Sequence, residues 1–523
     1  MKKTVSQIAM AFALVAFGFN SASAQTNLGA DCGCPSIPAR TTTVNLSSLA
    51  DANGNLTATN TVLTCDKRYI LDTKIYVGAG KSITINPGTA IFANVSAAGA
   101  AEALIISRDG KIIAAGTESC PIVFTVNGDP LDGSFATPFS QWGGVVLLGR
   151  ATNNMVANTC GSLYEANGLA RIEGFTASDP RIRYGADLNG TFGPAESFDD
   201  NDNSGIMRYV SIRHGGATVA ANNELNGLTM GSVGRGTTIE YIEIVGNSDD
   251  GFEWFGGTVN CKYLTVMYSD DDQFDWDHGF NGKLQFLYAL QAGRGDHGFE
   301  IDSDDSNCGQ LPLSQPTVYN ATIIGRSNIN DFAIEAKENT GGFIRNSVFA
   351  NFDVAVRINQ NNATNSVYNN WTATPARFVL ENNTFVGTDT TLKGSGFTVA
   401  QADLDRLTNA GNTFVGTLAG FDFTHVYNLT ANTNSAVTDQ VDPQPNPAVT
   451  SATVPPADGF FTPVNYRGAF GSSGLSWLKN WSWASIVDSN NGLVPCPNDV
   501  NNDGIVNITD FNSVLGSFGT SCD

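Results

Sequence analysis

Asp250-Gly-Phe252-Glu253-Trp254, Asp272-Gln-Phe274-Asp275-Trp276 and His297-Gly-Phe299-Glu300-Ile301 are three versions of one phrase, and their spacing decides the fold. The phenylalanines lie 22 and 25 residues apart. Each phrase follows a β-rich run: Tyr241 to Val245, Tyr263 to Met267 and Phe286 to Leu290. Such a step holds one turn of a parallel β-helix and is too short for a strand–helix–strand unit. The expected fold is therefore all-β, a solenoid of stacked coils.

Successive strand side chains point to opposite faces. With Phe252/Trp254, Phe274/Trp276 and Phe299/Ile301 directed inward, Glu253, Asp275 and Glu300 form one outward row. Phe255, Asp277 and Asp302 form a second. Taking Phe332/Ile334 and Val354/Val356 as the next inward pairs extends the second row to Glu335 and then Arg357. Carboxylates on neighbouring rungs, about 4.8 Å apart, repel by roughly 3–4 kcal/mol at an effective dielectric of 20. Water and salt, shared protons, Arg357 or a divalent cation can relieve that repulsion. Between Glu243 and Asp305 fourteen acidic residues face three basic ones, which places half of the net charge of −22 in this stretch. Glu253, Asp275, Asp277, Glu300, Asp302 and Glu335 are accordingly the candidate ligands for Ca²⁺ or a glycan, with a solvated stripe as the alternative.

The first 24 residues combine Lys2 and Lys3, an apolar run from Ile8 to Phe19, and Ala22-Ser23-Ala24. This is the pattern of a secretory signal peptide, so an extracellular or cell-surface location is expected. No later apolar run is long enough to span a bilayer. The acidic balance disfavours nucleic acid and anionic membranes as partners. Residues 25–59 read as an N-terminal lead, 60–434 as the solenoid, 435–490 as a linker and aromatic cap, and 496–523 as a separate small module. A polar excursion near 176–204, with Asp199, Asp200 and Asp202, reads as a protruding insertion. Nine cysteines leave at least one unpaired, and only Cys496 and Cys522 suggest a specific bridge, around the last module.

That module carries Asp499, Asn501, Asp503, Asn507 and Asp510 at positions 1, 3, 5, 9 and 12 of a loop. Gly504 stands at the sharp turn and the Ile505 carbonyl at position 7, a hard-oxygen set suited to Ca²⁺. Ile508, Phe511, Val514, Leu515 and Phe518 then recur at helical intervals. Residues 499–518 resemble one repeat of a type I dockerin, with Asp510 where an EF-hand usually has Glu. Dockerins carry two repeats and bind cohesins; the resemblance implies attachment to a cohesin-like or cell-surface partner.

The body resembles a family of secreted bacterial right-handed parallel β-helix proteins through Ile83-Thr-Ile-Asn-Pro-Gly-Thr89, Trp142-Gly-Gly-Val-Val-Leu-Leu-Gly149, Asn226-Gly-Leu-Thr229, Asp250 to Gly257, Asp272 to Trp276 and Phe460 to Phe470. The resemblance implies the fold and carries no activity. Asp250, Asp271, Asp272 and Asp296-His297-Gly298, with Arg357-Ile358-Asn359, are also similar in part to polygalacturonase-type hydrolases. Two function classes follow. One is a tethered surface protein that binds glycan or Ca²⁺ through the acidic rows. The other is a polysaccharide lyase or glycoside hydrolase acting on an acidic polysaccharide. The catalytic candidates for the second class are Asp275, Glu300, Asp272, His297 and Arg357, with Lys337 as a further possible base.

Overall fold

The computed structural model describes residues 27–484 except 97–100, 132–138, 156–166, 173–174, 176–177, 220–222, 292–294, 305–308, 327–329, 418–448 and 472–475. The segments read as a signal peptide and as a terminal calcium loop, the latter from Asp499 to Asp510, lie outside the described residues.

The chain coils as a parallel β-helix. One wall is a ten-stranded sheet whose strands follow in chain order: β1 (Ile75–Val77), β2 (Ala103–Ile106), β3 (Gly144–Leu148), β4 (Leu228–Gly231), β5 (Phe252–Phe255), β6 (Phe274–Asp277), β7 (Phe299–Ile301), β8 (Phe332–Ala336), β9 (Val354–Asn359) and β10 (Thr390–Ser395). Every neighbouring pair is parallel, so each coil adds one rung. Seventeen further strands build the rest of the wall. Phe252, Trp254, Phe274, Trp276, Phe299 and Ile301 are fully buried between the walls. Their rings stack from coil to coil, with centroids 5.8 Å apart for Phe252–Phe274 and 5.5 Å for Phe274–Phe299. The glycine of the Asp-Gly-Phe phrase has a steric cause: a Cβ on Gly251 would sit 2.5 Å from Val266.

The long strands of the other wall, such as Thr238–Val245 and Asn260–Met267, bend in mid-course. The bend falls on Tyr209, Tyr241, Tyr263, Phe286, Asn320, Asn346 and Asn382, one per coil, all with φ between 50° and 59°. The left-handed region costs a non-glycine residue roughly 1–2 kcal/mol. Asparagine tolerates it; the aromatic members offset it by stacking, at 4.3 Å for Tyr209–Tyr241 and for Tyr241–Tyr263. Tyr241→Asn keeps the backbone preference and removes both stacks. It is expected to lower stability by about 1–3 kcal/mol in urea unfolding; no change would mean that the rings merely decorate the bend.

The excursion expected to protrude folds back instead. Its antiparallel pair, Leu169–Arg171 with Arg183–Gly185, brings Ala170, Ile172, Ile182 and Tyr184 onto Ile105 and Val146. These two are outward residues of β2 and β3, and apolar. Covering them removes that surface from water, which is why the early half of the wall is sealed and the later half open.

The aromatic block also lies elsewhere than at an end. Residues 449–471 and 476–484 run along the flank, over the bend residues. Asn346 and Asn320 donate to the carbonyls of Thr453 and Tyr466 at 2.9 and 2.8 Å. Phe461 meets Tyr319, Trp477 meets Tyr263, and Trp481 meets Tyr209 and Tyr241, all edge-on. At its far end the strap closes over Glu243, whose carboxylate accepts from the backbone N–H of Trp483 at 2.7 Å and Ala484 at 3.2 Å. Cys32–Cys120 and Cys34–Cys65 tie the N-terminal lead to the first coils, and Cys261 is a buried thiol. Among the described residues no helix is long and apolar enough to cross a membrane.

Candidate functional site

Register places the outward residues of β4 to β10 in one file: Thr229, Glu253, Asp275, Glu300, Glu335, Arg357 and Lys393. Glu253, Asp275 and Glu300 thus stand side by side, as the alternation implied. Glu335 requires a correction. It pairs with Glu300 and belongs to the first row, because Ile334 rather than Phe332 aligns with Phe299. Phe332 was read as an inward residue; it faces the groove, with the Arg357 guanidinium 5.2 Å and the Lys393 ammonium 5.0 Å from its ring centre. The second row is Phe255 and Asp277, continued through Asp302 and Lys337 to Asn359 and Ser395. Asp277 turns to the buried His278, which also meets the Tyr184 hydroxyl at 3.0 Å.

Just before each rung a side chain caps the next coil. Asn226 accepts from the Asp250 N–H at 3.2 Å, Asp250 from Asp272 at 3.0 Å, Asp272 from His297 at 2.6 Å, and His297 Nδ1 from Phe332 at 3.3 Å. Buried backbone donors need such partners. Asp250, Asp272 and His297 are therefore first of all turn caps. His297 also contacts Glu335 through Nε2 at 2.5 Å. Burial alone lowers its pKa, but Glu335, Asp296 and Glu300 outweigh that and raise it.

The carboxylates divide into two kinds. Burial pushes Asp250, Asp272 and Asp275 well above the usual range, and their acidic neighbours add to the shift. Asp302 is raised by burial too, with Lys337 opposing. Glu300 goes the other way: burial would raise it, but Lys337 and a hydrogen bond from Asp272 hold it low. Asp272 and Glu300 are thus pushed in opposite directions, with a hydrogen bond between them raising the first and lowering the second. Lys337 pairs with Glu300, and with Asp302 at 3.6 Å; burial works against its charge, yet these carboxylates raise its pKa. Arg357 pairs with Glu335.

Among the described residues three groupings of carboxylates, one of them with His297, are close enough to share a cation, and Asp250, Glu253 and Asp275 form the most buried, with ligand atoms within 4.8 Å of one another. Asn226 orients Glu253. Asp275 is 8% exposed and its Oδ1 has no hydrogen-bond partner. An orphaned hard oxygen beside two other carboxylates fits Ca²⁺. The His297, Glu300 and Glu335 group fits less well, because Lys337 and Arg357 already neutralise it.

Beyond these rungs the file opens into a cleft of about 580 Å³ lined by His297, Glu300, Glu335, Lys337, Arg357, Lys393, Phe332 and Asn359. Lys393 and Ser395 were missed in the sequence, Asn359 was noted only as part of Arg357-Ile358-Asn359, and Phe332 was placed inside. The 36-residue step from Arg357 to Lys393, which contains the helix Val367–Thr372, hides the register that joins them.

A coiled parallel wall with a charged outward file and a cleft at one end defines a class of β-helix proteins. The chain belongs to the pectate-lyase-like β-helix domain family, which matches residues 54–421. No curated protein matches the chain in sequence.

Proposed function

We propose that this is an exported glycan-directed protein that holds an acidic polysaccharide along the open half of the ten-stranded wall. Ca²⁺ at Asp250, Glu253 and Asp275 supplies a hard positive centre that can bridge these carboxylates to a uronate group. The dockerin-like loop at Asp499, Asn501, Asp503, Ile505, Asn507 and Asp510 binds a second Ca²⁺ and tethers the protein to a cohesin-like or cell-surface partner. One observation supports the binding reading above the rest: a single file changes sign from Glu253, Asp275, Glu300 and Glu335 to Arg357 and Lys393, with the cleft at the crossing. The rung spacing is close to the length of a sugar unit, so neighbouring sugars can meet neighbouring rungs.

Cleavage is the second reading, and the divided pair Asp272 and Glu300 favours its hydrolytic form, since their surroundings raise the pKa of one carboxyl and lower that of the other. A lyase is less well supported. Lys337 holds its proton more tightly than an ordinary lysine and Arg357 is bound to Glu335, so neither is poised as a base. Asp272 is 2% exposed, with the less buried Glu300 hydrogen-bonded to it.

The test is retention of the protein in gels containing pectin, alginate or a neutral glycan, with parallel assays for unsaturated products and reducing ends. Retention by the acidic glycans, lost in chelator and in Glu300→Gln, with no products formed, is the expected result. Products that vanish in both Asp275→Asn and Glu300→Gln would replace binding by catalysis. Failure of every acidic glycan to retain the protein would remove the glycan reading.

A further inference from the structure

The last two rungs of the wall leave one side chain in an unusual state. Val356 and Ile358 pack in the core, so Arg357 and Asn359 between and after them face outward. Asn359 lines the cleft and is only 3% exposed, yet neither its Oδ1 nor its Nδ2 has a hydrogen-bond partner. A buried amide with both ends unsatisfied is rare in a folded chain, and here the residue that carries it borders a cleft. Ser395 stands beside it on the next rung. On the same face Lys393 donates to Asn330 at 2.9 Å and has no carboxylate partner among the described residues. Arg357 gives one Nη1 bond to Glu335 and leaves the rest of its fork to the cleft. Phe332 supplies an apolar face beneath both cations. The acids of the cleft are Asp296, Glu300, Glu335 and Glu338, of which Asp296 contacts His297, Glu300 pairs with Lys337 and Glu335 with Arg357.

We infer that this basic end is a subsite for a pyranose carrying an oxyanion, either a carboxylate or a sulfate ester, gripped by Asn359 between Arg357 and Lys393 over Phe332. The inference rests on the glycan reading and adds the chemical class of the sugar that the far end selects. The amide suits such a group on both sides: Nδ2 donates to the oxyanion and Oδ1 accepts from a neighbouring sugar hydroxyl. The cations supply charge-assisted bonds, and the phenyl ring takes the apolar face of the sugar. The acidic rungs reach an anionic sugar only through a cation, whereas this end reaches it directly.

Calorimetric titration of the full chain in Ca²⁺ buffer tests this with four probes: oligogalacturonate, its methyl ester, a sulfated galactan oligosaccharide and its desulfated form. At least one charged probe is expected to bind about tenfold more tightly than its uncharged form. Asn359→Ala and Lys393→Gln are each expected to lose about tenfold for that probe and nothing for the uncharged one. The probe that responds identifies carboxylate or sulfate as the source. Melting temperature supplies a second readout. Asn359→Ala removes an unsatisfied buried group, so it should melt no lower than the parent, and higher if the amide is kept for a ligand. Unchanged affinities in both variants would overturn the subsite and leave the glycan reading standing. A lower melting point in Asn359→Ala with unchanged affinity would make the residue structural. Absence of binding by all four probes would remove the subsite and the glycan reading together.

Discussion

Glu243→Ala is expected to destabilise the folded chain by about 3–5 kcal/mol, among the largest effects of any single polar replacement. Glu243 is fully buried beneath the strap and faces Arg213, itself 1% exposed, through Ser211: Arg213 Nε donates to Ser211 Oγ at 2.8 Å and Ser211 to Glu243 at 2.8 Å. Removing the carboxylate takes from a buried guanidinium the larger of its two negative neighbours, Glu243 and Asp129, and two backbone N–H groups lose their acceptor. Glu243→Gln keeps an acceptor for one of them and should cost less. The check is urea unfolding followed by tryptophan emission, because Trp477, Trp481 and Trp483 all lie in the strap. A loss below about 1 kcal/mol would show that the strap does not depend on this contact.

The second large effect concerns the acidic rungs, pH and Ca²⁺. Asp250, Asp272, Asp275 and Asp302 have folded-state pKa values above the ordinary value, so the folded chain binds protons that the unfolded chain releases. Their contribution to stability is therefore complete below about pH 4 and is lost as pH rises through the raised values. In chelator the melting temperature should fall between mildly acidic and neutral pH. Ca²⁺ at one hundred times its dissociation constant should restore about 2.7 kcal/mol at neutral pH. In Asp275→Asn the chelated protein should be more stable than the parent at neutral pH and its response to Ca²⁺ smaller. The terminal loop is identical in the two proteins, so the difference isolates the rungs. A flat pH profile together with equal Ca²⁺ responses would leave the file as solvated charge.

The coil and its most acidic rungs were legible because strand alternation is local: Phe-x-Trp repeated at one spacing fixes both what is inside and what is beside what. Glu253, Asp275 and Glu300 are adjacent for that reason. The phase failed at Phe332-Ala-Ile334, where an aromatic residue in the inward pattern turned out to line the groove, and Glu335 moved by two positions. The bends themselves were not read from the sequence: Tyr241, Tyr263 and Phe286 were seen only as the first residues of β-rich runs, and Asn320 and Asn346 not at all. Aromatic residues occupy the early bends; the later ones rest on the tolerance of asparagine for positive φ, a signal shared with every polar turn. The strap could not be read at all. Its partners lie more than a hundred residues away, as between Asn346 and Thr453 or Glu243 and Trp483, and an aromatic-rich tail is equally suited to covering an end.

The course of the strap sets how the molecule answers to tension. Its last described residues sit beside early coils, with Asn480 on Glu118 and Trp481 on Tyr209, while its beginning lies over late ones. A pull on the tail beyond Ala484 would therefore draw the strap along the flank and oppose several bend contacts at once in shear. The final coil would not be unzipped first. A load applied there would be shared along the flank of the coil before any single rung opened.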